Sequence, residues 1–97
     1  MGRALTVSRV RVRPDDEATY LAAIRELAAL ADARGWHLWL FRHPGERDLF
    51  LECSESRSAG THRTAPGRPA DEAALEARIR AVARYEAGAW ELWEEVR

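Results

Sequence analysis

Between Pro14 and Gly35, the residues Tyr20, Ile24, Leu27 and Leu30 recur three to four positions apart, with Ala23 and Ala31 beside them. Residues so spaced share one face of an α-helix, and an apolar stripe of that length has to lie on a second layer. Pro14 ends whatever precedes it, and Asp15, Asp16 and Glu17 supply a capping candidate and the acidic first turn that complements a helix dipole. Gly35 after Arg34 is a natural C-terminal cap. The resulting helix of about 20 residues spans roughly 30 Å.

The second layer is legible on either side. Leu5 to Arg13 alternates β-branched and polar residues, a strand signal, but Leu5 and Val7 have one parity and Val10 and Val12 the other. Either a bulge shifts the register or both faces are partly covered. Trp36 to Phe41 is rich in strand formers and ends at His43-Pro44-Gly45-Glu46, which carries a turn signature, so it forms the first arm of a hairpin. Asp48 to Glu55 alternates again, with Leu49, Leu51 and Cys53 expected on the core face and Phe50, Glu52 and Ser54 on the other. Ser56 to Ala70 reads as a loop with one helical turn near Gly60 to Arg63. Asp71 is expected to cap a second helix in which Leu75, Ile79 and Val82 repeat, up to about Tyr85. Ala89 to Val96 fits a strand through Trp90, Leu92 and Val96, although Trp90 and Trp93 also fit a continued helix; the strand is preferred. The order β-α-β-β-α-β predicts an α+β, ferredoxin-like domain over residues 1–97, with an antiparallel sheet and both helices on one face.

Composition excludes several functions. The 97 residues suit one domain and one core, and 46% hydrophobic against 32% charged residues describes a folded chain. No apolar run approaches the ~20 residues needed to cross a bilayer, and the N-terminus has no apolar signal region, so no membrane partner and a cytoplasmic location are expected. All 15 basic residues are Arg, nearly balanced by 16 acidic ones, which argues against a nucleic-acid footprint. Cys53 is the only cysteine, so no intrachain disulfide or thiolate metal cluster can hold the fold.

Helices on one side leave the opposite parity of each strand to be explained: His37, Trp39, Phe41 and His43; Phe50, Glu52 and Ser54; Ala89, Glu91, Trp93 and Glu95. Large aromatics on a bare sheet face predict a cover, and the simplest cover is a second copy. Two sheets face to face would enclose an aromatic interior punctuated by ionisable groups, either a small-molecule pocket or a filled dimer core.

This arrangement resembles the dimeric α+β barrel superfamily, which includes antibiotic-biosynthesis monooxygenases, over nearly the whole chain. The most specific piece is Leu49-Phe50-Leu51-Glu52-Cys53-Ser54-Glu55-Ser56-Arg57-Ser58-Ala59-Gly60-Thr61-His62, similar to the family's strand, acidic-Ser segment and short turn carrying a His. The resemblance implies a homodimer with a pocket between sheet and helices. Its members include cofactor-independent oxygenases of polycyclic phenols, haem-degrading enzymes and proteins without known activity.

The chemistry then rests on few groups. His62 is a candidate general base or metal ligand at a pocket mouth, or else a surface histidine. His37 alternates with Trp39 toward the predicted lumen as an acid–base group, or is merely hydrogen-bonded there; His43, in the hairpin, is expected in solvent. Glu52 suits a base if buried unpaired, although an ion pair with Arg9 or Arg11 is the safer expectation. Arg9 and Arg11 could clamp an anionic substrate or simply line a wet face, and Trp39, Phe41, Phe50 and Trp93 would form the walls. The spacings of His37, His43 and His62 match no metal motif, so neither metal nor cofactor is expected. Cys53 has core parity and reads as a buried apolar residue. The leading reading is a homodimer binding a small aromatic or polyketide-like molecule, with His62, His37 or Glu52 handling a proton in a cofactor-independent monooxygenase. The alternatives are a non-catalytic binding or assembly module, and a haem protein using one His as axial ligand.

Overall fold

The computed structural model describes residues 2–96. Strand β1 (Ala4–Val12) leads through a 3-10 turn at Pro14–Asp16 into helix α1 (Glu17–Ala33), followed by β2 (Trp36–Arg42) and β3 (Leu49–Ser56). A second 3-10 turn (Ala59–Thr61) precedes α2 (Ala70–Val82), β4 (Ala83–Tyr85) and β5 (Leu92–Glu94). The antiparallel sheet runs β2-β3-β1-β4, with β5 also on β1, the ferredoxin-like order in which the last strand is broken in two.

The helices form as their sequence dictates. Tyr20, Ala23, Ile24, Leu27 and Ala31 are the buried stripe of α1, and Gly35 ends it at a φ of 86°, the left-handed conformation that glycine adopts without penalty. Leu75 and Ile79 of α2 close the same core over Val10, Val12, Leu38 and Phe50. Each such fully buried side chain contributes about 1.5–3 kcal/mol of transfer free energy. In the hairpin, the backbone N–H groups of Gly45 and Glu46 both donate to His43 Nδ1 at 3.0 Å, so that histidine holds the turn.

One open alternative closes, and three expectations need correction. The β1–β3 register is unbroken from Ala4↔Ser56 to Arg11↔Leu49, so there is no bulge. Thr6 and Ser8 face inward with Val10 and Val12, while Leu5 and Val7 lie on the open face. Strand β3 has the opposite parity to that expected. Phe50, Glu52, Ser54 and Ser56 point at the helices, and Cys53 belongs to the open face, flanked by Val7 and Trp39. The reason is that this interior is half polar, so apolar alternation names the wrong side. Asp71 does not cap α2: the helix starts at Ala70, and Asp71 instead pairs with Arg34 at 2.8 Å. Finally, α2 stops at Val82. Ala83 and Tyr85 pair with Val12 and Val10 of β1, and of 89–96 only Leu92–Glu94 is strand. An exposed β1 edge offers backbone hydrogen bonds that one more helical turn would forgo.

Candidate functional site

The inward polar residues of β3 need partners, because a buried charge without one costs several kcal/mol. Glu52 finds three. Tyr20 of α1 donates to Oε2 at 2.6 Å, and Tyr85 of β4 donates to Oε2 at 2.9 Å and lies 3.1 Å from Oε1. Arg63, just past the second 3-10 turn, sets Nη1 2.9 Å from Oε1, and both charged side chains are 1% exposed. The same Nη1 donates to Ser54 Oγ at 3.2 Å, and Nε donates to Glu76 of α2. Helix α1, strand β4 and the loop after the second 3-10 turn thus converge on one enclosed carboxylate, with α2 holding its arginine.

This environment fixes protonation. Burial together with the Glu52 charge raises both tyrosine pKa values far above the ordinary phenol, so both remain hydrogen-bond donors. Burial alone would lower the Arg63 pKa, but Glu52 and Glu76 outweigh it and hold the guanidinium charged. Among the described residues, Arg63 Nη2 has no hydrogen-bond partner. The face of this guanidinium is covered by Trp90, with Cζ 4.4 Å from the ring centroid.

His62 lies beside the network and is buried. The Thr64 backbone N–H donates to Nδ1 at 3.2 Å, so the Nε2–H faces and donates to the Ser54 carbonyl at 3.0 Å. Burial first, then the Arg63 and Arg68 charges, lower its pKa, keeping the ring neutral at pH 7. His62 borders a cleft of about 410 Å³ with Trp36, Arg34, Arg68 and Glu72. The cations there are already paired: Arg34 with Asp71 and Glu72, and Arg68 with Glu72 at 3.0 Å.

The other expected site residues are divided between two sides of the sheet. Trp39, Phe41 and Trp93 stand on the open face at 44, 56 and 57% exposure, with Leu5 and Val7. His37 is there too, stacked on Trp39 at 5.8 Å, its Nδ1 2.8 Å from Asp32. Arg9 and Arg11 lie on that face but share Glu86, at 2.9 and 3.2 Å, and Arg11 also holds Glu46 and Asp48. Phe50 is no part of that wall. It sits in the core against Tyr20, ring centroids 5.3 Å apart. Glu52 likewise leaves the predicted lumen, and its ion pair is Arg63 instead of Arg9 or Arg11. Among the described residues, no group of three or more His, Cys, Asp or Glu is placed to hold a metal ion.

Sequence reasoning missed Arg63, Tyr85 and Trp90. Tyr20 carried a usable signal, since a phenol inside an apolar stripe needs a buried acceptor. Thr61-His62-Arg63-Thr64 carries none that separates its arginine from the chain's other arginines.

No family model matches the sequence, and no curated protein does. Solved structures do. A Bacteroides thetaiotaomicron protein of unknown function superposes with a TM-score of 0.81 at 22% identity, over 97% of this chain and 98% of its own. SnoaB, a cofactor-independent oxygenase from Streptomyces nogalater, gives 0.79 at 16% identity, over 100% and 96%. A Caulobacter crescentus protein described as an antibiotic-biosynthesis monooxygenase gives 0.77 at 18% identity, over 99% and 92%. At these identities the likeness is one of architecture. By fold, the chain is similar to these solved proteins over nearly its whole length, and what the likeness shows is the shared ferredoxin-like α+β architecture.

Proposed function

We propose that the chain acts as a homodimer, paired through the open faces of two sheets, that binds a small aromatic or polyketide-like molecule between sheet and helices and oxygenates it without a cofactor. The observation that carries this reading is the enclosed Glu52–Arg63 pair with Tyr85 and Tyr20, a charged carboxylate in a dry interior. A phenol that displaced Tyr85 from Glu52 would meet a base at one oxygen and a fixed positive charge beside it. Those are the groups needed to hold a phenolate. A phenolate can give its electrons to dioxygen directly; conversion of a ring CH2 to C=O consumes one O2 and releases one water, with no other reductant. Support for the dimer comes from Leu5, Val7, Trp39, Phe41 and Trp93, an apolar patch on a face that no helix covers.

A second reading has its own support. Both Glu52 oxygens and both His62 ring nitrogens already have partners inside the chain, which suits a non-catalytic dimeric module whose polar core only fixes the fold.

The deciding experiment supplies a polycyclic phenol and dioxygen to the purified protein, without metal or cofactor, and follows oxygen uptake. Uptake that Glu52→Gln abolishes, in a variant that still melts cooperatively, supports the oxygenase. Phenol binding without uptake leaves the module reading, and absence of both uptake and binding removes the ligand altogether.

A further inference from the structure

Trp90 is held in a way that its place in the chain does not require. It lies between β4 and β5, where the fourth strand is broken, with a φ of 67°. For a bulky side chain this left-handed backbone is an outlier that persists only where the surroundings impose it. Gly88, two residues earlier, has a φ of 87°, so a reversal of direction adjoins the strained residue. Its backbone N–H donates to Ser8 Oγ at 3.1 Å, across the gap that the missing ladder leaves.

The ring itself is received as an aromatic guest would be. Arg63 Cζ lies 4.4 Å from its centroid and Arg80 Cζ 4.9 Å, while Tyr85 packs against it at 4.8 Å with planes 50° apart. Two cationic guanidinium groups at its faces and a tilted phenol beside it make a cradle for a π-system. Beneath it, Arg63 is 1% exposed, and its Nη2 lacks a hydrogen-bond partner among the described residues. A buried guanidinium N–H left without an acceptor is costly, and an indole, which offers a π-face but no oxygen, does not satisfy it.

We propose that Trp90 is a built-in aromatic occupant, a side chain that covers the Glu52–Arg63 pair until a planar aromatic bearing an oxyanion displaces it. Such a ligand would keep the stacking on Arg80 and add the acceptor that Arg63 Nη2 lacks. Release of the ring would also relax the left-handed backbone at Trp90, so strain and ligand act in the same direction. This inference rests on the internal site proposed above and adds its gate.

The test titrates 2-naphthoate into the wild-type protein and Trp90→Ala, measuring affinity by calorimetry and the indole N–H resonances by 1H–15N spectra. If the ring must leave first, the wild-type affinity is reduced by the fraction of time the site is open, and Trp90→Ala binds about ten-fold tighter or more. In the wild type, the indole N–H signal missing from Trp90→Ala shifts in step with binding. Equal or weaker binding by Trp90→Ala, or wild-type binding that leaves that signal unmoved, overturns the gate while leaving the internal site standing. Absence of binding to both proteins overturns the gate together with the site beneath it. Should Trp90→Ala fail to fold, Trp90→Phe identifies the signal by its loss, and the wild-type titration alone decides.

Discussion

Arg63 reaches Glu52 at 2.9 Å from a loop to a strand, with both side chains 1% exposed, and this pair joins segments that neither helix periodicity nor strand alternation links. Replacing Arg63 by Met strands a carboxylate in the interior and removes the donor to Ser54. Loss of one partner of a buried pair costs about 3–5 kcal/mol, so Arg63→Met should lower the urea midpoint sharply. Glu52→Leu with Arg63→Met removes the stranded Glu52 carboxylate, while Glu76 still lacks its Arg63 partner, and should recover part of that loss. A single variant within about 1 kcal/mol of wild type would show that water reaches Glu52.

The chain contains two tyrosines, Tyr20 and Tyr85, and both donate to Glu52. With their folded pKa values raised above the ordinary 10.0, neither should ionise near pH 10 while the protein is folded. The linkage has a definite sign. A raised folded pKa contributes stability that is present below pH 10 and lost as pH climbs from there toward the folded value. Absorbance at 295 nm should therefore stay flat through pH 10 and rise only with alkaline unfolding, at a pH where circular dichroism is lost. An absorbance step near pH 10 in folded protein would place at least one phenol in water.

His62 runs the other way. Its lowered pKa means that the unfolded chain takes the proton first, so stability is complete above about pH 6.5 and declines as pH falls from there toward the folded pKa. Denaturant midpoints between pH 7.5 and 5 should drop for the wild type, and less steeply for His62→Asn, whose amide can still donate to the Ser54 carbonyl. Parallel slopes would assign the acid sensitivity elsewhere.

The helices were legible because large apolar residues recur at helical spacing: Tyr20, Ala23, Ile24 and Leu27 of α1 pack where their spacing puts them, as do Leu75 and Ile79 of α2 beside the buried Glu72 and Glu76. The fold order followed from them, and Trp39, Phe41 and Trp93 lie on the open face as alternation implied. Strand β3 misled because alternation identifies a core only if that core is apolar. Here Glu52, Ser54 and Ser56 face inward and Cys53 outward, since Arg63, Tyr20 and Tyr85 supply polar partners from residues 9 to 33 positions away. The broken last strand was hidden for a related reason. Ala83 and Tyr85 extend the helical pattern of α2, and only the free edge of β1 makes a strand the better solution.

Cys53 provides a reporter for the open face. It is only partly covered within one chain, flanked by Val7 and Trp39, and burial raises its thiol pKa. If two sheets pair through this face, the thiol is sealed in the dimer, and alkylation by iodoacetamide proceeds through the monomer fraction. The rate at pH 8 should then fall as protein concentration rises, by about ten-fold once nine-tenths of the chain is paired. Phe41→Glu puts a charge on that face, where Phe41 is 56% exposed. It should sediment as a monomer and alkylate at a rate independent of concentration, and its melting temperature should not rise with protein concentration as that of a dimer does; Phe41 lies outside the core, so the fold itself is retained. A wild-type rate that ignores concentration, alongside sedimentation as a monomer, would mean that the aromatic face is open in solution. A dimer that leaves Cys53 reactive would instead place the interface on another surface.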